Sequence, residues 1–162
     1  MPSLTQDLPE SVEVLIEVPK GGFIKRELDG TERSGVFAAV LGPGRVDFVS
    51  PVPSPFNYGC VPEWPGADGD PVDVVVLGPR LRAGERVARD VVGVVRFWDA
   101  GDVDDKLVAG EGRLTEPQRK ALARFFRIYA LARGVLNRRR GLSGRTEFLG
   151  VISREEALRR SR

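Results

Sequence analysis

Apolar residues alternate with others from the start of the chain: Val12, Val14, Ile16 and Val18 are separated by Glu13, Leu15 and Glu17. Period two predicts a strand, with Glu17 on the face opposite the valines. Phe23 to Leu28 predicts a second strand, ended by the turn signal Asp29-Gly30. Val36 to Leu41 and Val46 to Val49 flank a Gly42-Pro43-Gly44 turn. The PVPSP stretch (51–55) is rigid and extended, and cannot be a central strand. Val72 to Leu77 and Val91 to Trp98 are apolar enough for buried strands, and Leu107 to Ala109 predicts a short one.

The period then changes. Thr115 and Gln118 are spaced as a capping box, with Pro117 in the first turn. Leu122, Phe125, Phe126 and Tyr129 recur at helical spacing, and Gly134 is the expected C-cap. Phe125 and Phe126 are expected to be core or subunit interface. Ser153 with Glu156 caps a second, short helix. Short strands followed by helices predict an α+β, mainly β domain, or a small barrel with helices packed outside. No repeat or long linker interrupts the chain, so residues 1–162 are read as a single domain.

Composition narrows the chemistry. There is no histidine and only one cysteine, Cys60. Histidine-based catalysis, His- or Cys-rich metal sites and an internal disulfide are excluded, so any metal is held by oxygen. No run of 18 apolar residues and no signal-peptide pattern is present, which predicts a cytoplasmic protein with no membrane partner. Charge is uneven. Residues 1–112 carry 11 Lys/Arg against 19 Asp/Glu, whereas residues 113–162 carry 14 against 4. Because the basic residues lie in patterned helical sequence, attraction between the two parts or to a neighbouring subunit is preferred over nucleic-acid binding. Arg138, Arg139 and Arg140 accordingly read as a solvated face or an interface.

Two acidic clusters stand out. Asp68, Asp70 and Asp73 fall within six residues, at a turn feeding an apolar strand. Taken alone, an Asp-Gly turn is most often solvated. Three carboxylates this close repel, however, and a divalent cation compensates them best. The segment is not an EF-hand loop, because it lacks the Gly at position six and the Glu at position twelve. Asp99, Asp102, Asp104 and Asp105, with Lys106, follow a second strand. Two such turns facing one cleft suit a Mg²⁺ site with a phosphate substrate, Mn²⁺ being the near alternative. Lys25 and Lys106 are candidate point charges for phosphate. Lys25 and Glu27 lie two apart and share one strand face, as a surface ion pair also would.

The chain resembles the soluble family I inorganic pyrophosphatases across roughly residues 7–150. The matching segments are LIEVPKG (15–21), IKRELD (24–29), PFNYG (55–59), DGDPVDVVVL (68–77), DAGDVDDKLVA (99–109) and FFRIYA (125–130), in family order. The resemblance implies an OB-like five-stranded β-barrel with flanking C-terminal helices, bound Mg²⁺ and hydrolysis of pyrophosphate. It also implies a homo-oligomer, a hexamer in bacterial forms. By position, Asp68, Asp73 and Asp104 correspond to ligands of the tighter metal, with Asp73 shared by a second ion. Asp99 and Asp104 correspond to ligands of a metal that arrives with substrate, and Asp70 to the general base on the bridging water. Glu17 and Glu27 match outer carboxylates. Lys25, Lys106 and Tyr129 match phosphate-binding groups, and Tyr58 lines the cavity.

Departures from the pattern thin the phosphate cradle. The family's Arg before the PxNYG segment is met by Arg45, one residue further upstream. A Tyr is replaced by Ser54, a Lys by Ala130, a carboxylate by Ala100 and an aromatic by Cys60, which is expected to fill packing space. Arg133, one turn beyond Tyr129, is a candidate substitute for the missing Lys. Two other readings stay open at this stage. One is an impaired or repurposed relative that binds other phosphate ligands. The other is an OB-like nucleic-acid binder, which needs exposed aromatics on the barrel.

Overall fold

The computed structural model describes residues 4, 8–22, 24–26, 46–49, 53–66 and 69–161. Five strands close a barrel: β1 (Ser11–Val18), β4 (Asn57–Pro65), β5 (Pro71–Val76), β8 (Lys106–Gly110) and β6 (Arg86–Asp99) are neighbours in that order, and β6 returns to pair with β1. β5 and β8 run parallel, and the other barrel pairs are antiparallel. The 14 residues of β6 make closure possible, because its first part pairs with β1 and its later part with β8. Two further strands extend β6: β7 (Asp102–Val103) and β9 (Glu147–Ser153). A separate pair joins β2 (Ile24–Arg26) to β3 (Val46–Val49). The expected barrel with helices outside is therefore observed. The expected strand at Val36 to Leu41 lies outside the described residues.

Alternation builds two apolar layers. Val12, Val14, Ile16, Val72, Val74, Val76, Leu107 and Ala109 fill the barrel interior. Val75, Val95, Val108 and Phe97 belong to a second layer, outside the barrel, which the helix α1 (Glu116–Arg139) covers with Leu122, Phe125, Phe126 and Tyr129. The expectation that Val18 shares a face with Val12 is corrected here. A register shift between Ile16 and Val18 inserts a residue opposite Gly59 and Tyr58, which reverses the alternation and puts Val18 in the helix-side layer. Gly59 is required at this crossing, since a Cβ there would stand 2.0 Å from the Leu15 carbonyl oxygen.

Both capping boxes form. Thr115 Oγ1 accepts from the Gln118 amide, and Gln118 Oε1 accepts from the Thr115 amide. Ser153 and Glu156 do the same at α2 (Arg154–Arg160). Gly134 is not the C-cap of α1. The helix continues to Arg139 and ends in a Schellman motif, where Gly141 (φ 72°) donates to the Arg138 carbonyl and Leu142 to that of Asn137. A mid-helix glycine costs about 1 kcal/mol, which the buried aromatic face outweighs. Phe125 and Phe126 are core, packed edge-on to each other at 5.2 Å.

Candidate active site

Asp73 is aimed by its neighbours. With Val72 and Val74 inside the barrel, it faces outward on β5, opposite Cys60 of β4, while Val75 stands opposite Tyr58. The turn before β5 is tied by Gly66 donating to the Asp70 carbonyl, with Gly69 at φ 88°. Asp70 is exposed at its end.

The second cluster is folded by a two-residue hairpin between β6 and β7. Asp99 pairs with Asp102, and both central residues, Ala100 and Gly101, have positive φ, as a type I′ turn demands. Asp104 then donates its amide to the Phe97 carbonyl, and buried Asp105 accepts from the Phe97 amide through Oδ1 at 3.0 Å. Those two bonds turn the chain back along β6, so that Lys106 opens β8 opposite Val95 on the outer face.

The three groups then meet. Lys106 Nζ donates to Asp73 Oδ2 at 3.0 Å and to Asp104 Oδ2 at 2.8 Å, and lies 5.6 Å from the centre of the Phe97 ring. Its side chain is 1% exposed, those of Asp73 and Asp104 18% and 35%. The ammonium is thus a buried counter-ion for two carboxylates that open towards solvent. Oxygens of both reach one cation, and every donor is a hard oxygen, so the pair fits a divalent cation. Among the described residues no group of three or more such ligands stands together. Asp68, Glu27 and Arg45 lie outside the described residues. Lys25 is placed only by its backbone, in β2 opposite Phe48.

Tyr58 closes the inner wall. Burial first, then the charge of Asp73, neighbouring Tyr129, the charge of Asp104 and a hydrogen bond to Asp73, push its phenol well above the ordinary value of 10.0. The folded chain therefore holds this proton more tightly than the unfolded chain, and the resulting stability is complete below the unfolded value and lost as pH rises through the folded one. In metal-free protein carrying Tyr129→Phe, which leaves Tyr58 as the only tyrosine, phenolate absorbance is expected to appear well above pH 10, together with unfolding. A phenolate step at or below pH 10 in folded protein would contradict this.

Glu17 is buried at the β1 bulge and is not the solvent-facing residue its strand pattern suggests. Tyr129 is buried too, its ring 5.5 Å from Phe97. Cys60 packs beside Leu15, as expected of a space-filling residue. Asp99 is held by the helix: Arg133 Nε donates to its Oδ2 at 3.0 Å and Asn137 Nδ2 to its Oδ1 at 2.6 Å. The acidic and basic parts of the sequence meet at this ion pair. Two buried residues do work that local pattern did not announce. Asn57 accepts from the Lys20 and Leu81 amides and donates to the Pro79 carbonyl at 2.9 Å, bracing the loops on either side of Tyr58. Asn137 ties α1 to Asp99 and Thr146.

The model of the family described as inorganic pyrophosphatase matches residues 14–157. The chain belongs to that family. An inorganic pyrophosphatase of Saccharolobus solfataricus is 36% identical over 110 residues, which cover 67% of this chain and 60% of that one. One of Gluconobacter oxydans is 28% identical over 139 residues, 76% of each chain. Among solved structures, the inorganic pyrophosphatase of Helicobacter pylori superposes with a TM-score of 0.67 at 28% identity, covering 93% of this chain and 88% of that one. The inorganic pyrophosphatase of Thermus thermophilus gives 0.66 at 25%, covering 98% and 96%.

Two departures from the pyrophosphatase pattern now have structural counterparts. The buried Ser54 hydroxyl bonds to the Phe56 backbone, donating to its carbonyl at 2.6 Å, while the Ser54 amide donates to the Gly22 carbonyl. It is a stitch between two loops. Ala130 lies on the buried face of α1, in the aromatic layer. The Ser54 hydroxyl is thus engaged by backbone, and Ala130 has no polar side-chain group.

Proposed function

We propose that this chain hydrolyses inorganic pyrophosphate to two phosphates with bound Mg²⁺, Mn²⁺ being the near alternative. The observation that carries the proposal is the buried Lys106 ammonium shared by Asp73 and Asp104 beside a neutral Tyr58. Asp68, Asp73 and Asp104 are the proposed ligands, with Glu27 and Glu17 further out. Asp99 is a special case, since its oxygens already carry Arg133 and Asn137.

A divalent cation bound there supplies neutralisation of the polyanionic substrate and polarises its phosphoryl oxygens. The chain's own groups do the rest. Asp70 takes the proton of the attacking water. Lys25, Arg45 and Tyr129 bind phosphate oxygens, Tyr58 donates a neutral hydroxyl, and Lys106 balances charge on the departing phosphate. Buried placement of Lys106 strengthens that interaction, because little water screens it.

The proposal extends to one domain, a cytoplasmic location and a homo-oligomer, with a hexamer taken from the resemblance. Cys60, buried and the single cysteine of the sequence, suits a reducing compartment. No helix among the described residues is long and apolar enough to cross a membrane. Exposed Ile128, Leu131 and Val135 on the outer side of α1 are a suitable subunit contact. The nucleic-acid alternative is not favoured: Phe97, Phe125 and Phe126 are buried against one another, and Trp64 and Trp98 are half-buried. The substrate is tested by phosphate release from pyrophosphate and from p-nitrophenyl phosphate at equal Mg²⁺. We expect pyrophosphate to be the faster substrate by at least about tenfold, which is roughly 1.4 kcal/mol of discrimination. Turnover of the ester alone would contradict the assignment.

A further inference from the structure

We propose that Arg133, braced by Asn137, is a resident cation that takes Asp99 out of the metal-ligand set, so that the chain binds one divalent ion fewer than its acidic clusters suggest. The inference rests on the reading that the remaining carboxylates hold metal.

Arg133 and Asn137 lie one turn apart on the same face of α1. Each engages a different oxygen of Asp99, at 3.0 and 2.6 Å. The pair is secluded: the side chain of Arg133 is 14% exposed and that of Asp99 16%, while Asn137 is buried. A guanidinium cannot give up its proton in a protein. A metal ion approaching Asp99 therefore meets a fixed positive charge, and must displace it at a site where water screens little of the repulsion.

The clamp is built into the fold. Asn137 Nδ2 also donates to Thr146 Oγ1 at 3.0 Å, and that oxygen accepts from the Ala100 amide at 3.1 Å. Gly101 donates to the Arg145 carbonyl at 2.9 Å. A Cβ on Gly144 would lie 2.4 Å from the Ala100 oxygen, so the segment before β9 is seated directly on the hairpin that carries Asp99. Ala100 adopts φ 48°, a conformation that costs a non-glycine residue energy and persists when its surroundings hold it. Asp99 is thus fixed from the helix, from the segment before β9 and from its own turn. Lys106 is the counter-ion of Asp73 and Asp104, but there one ammonium serves two carboxylates, whereas at Asp99 a guanidinium and an amide are both directed at one.

The test is the number of Mn²⁺ ions bound per chain, read from the signal of free Mn²⁺, with methylenediphosphonate as a non-hydrolysable pyrophosphate mimic. Three proteins are compared: the wild type, Asp99→Asn and Arg133→Ala. We expect Asp99→Asn to bind as many ions as the wild type, and Arg133→Ala to bind one more. Loss of one ion in Asp99→Asn would overturn the inference, as would an unchanged count in folded Arg133→Ala. Should Arg133→Ala fail to fold, Asp99→Asn decides alone, because Asn keeps the size of the side chain and one acceptor oxygen. No Mn²⁺ on any of the three would overturn the metal reading itself, and the inference with it.

Discussion

Replacing Lys106 with methionine is expected to slow phosphate release about 10²–10³-fold, the usual loss when one preorganised donor to developing charge is removed. The same change is expected to destabilise the metal-free protein by about 3 kcal/mol, the lower end for breaking a buried ion pair, since both carboxylates retain some access to water. Methionine matches the length of the stem and leaves the packing against Phe97 nearly intact, so the loss is electrostatic. Asp73 and Asp104 then face each other without a counter-ion. Adding Mg²⁺ should narrow the stability gap, because the metal supplies the missing positive charge. Denaturant midpoints in EDTA and in Mg²⁺ measure both effects. Equal midpoints for variant and wild type in EDTA would show that the pair does not depend on the lysine.

Asp70→Asn is expected to lower turnover by about 10²–10⁴-fold, the contribution of a positioned general base. Stability should change little. Asp70 is exposed, and its carbonyl, which the substitution preserves, ties the turn to Gly66. Mn²⁺ binding should survive as well, since Asp73 and Asp104 remain. Steady-state rates beside Mn²⁺ titrations separate the two outcomes. A variant that retains turnover would remove Asp70 from the role of base, and one that loses metal along with activity would make it a ligand.

The site was legible because its ingredients are consecutive in sequence. In DGDPVD a single strand's alternation delivers Asp73 outward and its neighbours inward, so the face of Asp73 follows from period two. Asp104 and Lys106 are likewise only two residues apart, so their ion pair needs no distant segment. The helix start followed from Thr115 and Gln118, which meet within one turn. What escaped depends on contacts between distant segments. Val18 changes face because β4 imposes a bulge on β1, and nothing in the alternation of residues 12–18 records it. Gly134 looked like a stop, but the aromatic layer beneath α1 and the Schellman turn at Gly141 carry the helix past it. β9 has a broken alternation with Gly150 at φ 128°, and becomes a strand because β6 is long enough to pair with it. Arg133 was placed correctly on the Tyr129 side of the helix, yet its partner could not be read from a period of 3.6. Thr146 and Asn137, nine residues apart, cooperate on Asp99 only once the chain has turned back.

The most direct test of the account is phosphate released from pyrophosphate by the purified wild-type chain, in Mg²⁺ and in EDTA. We predict two phosphates per pyrophosphate with Mg²⁺ and none above the uncatalysed background in EDTA. Release that persists undiminished in EDTA, or none from folded protein shown to bind Mn²⁺, would contradict it.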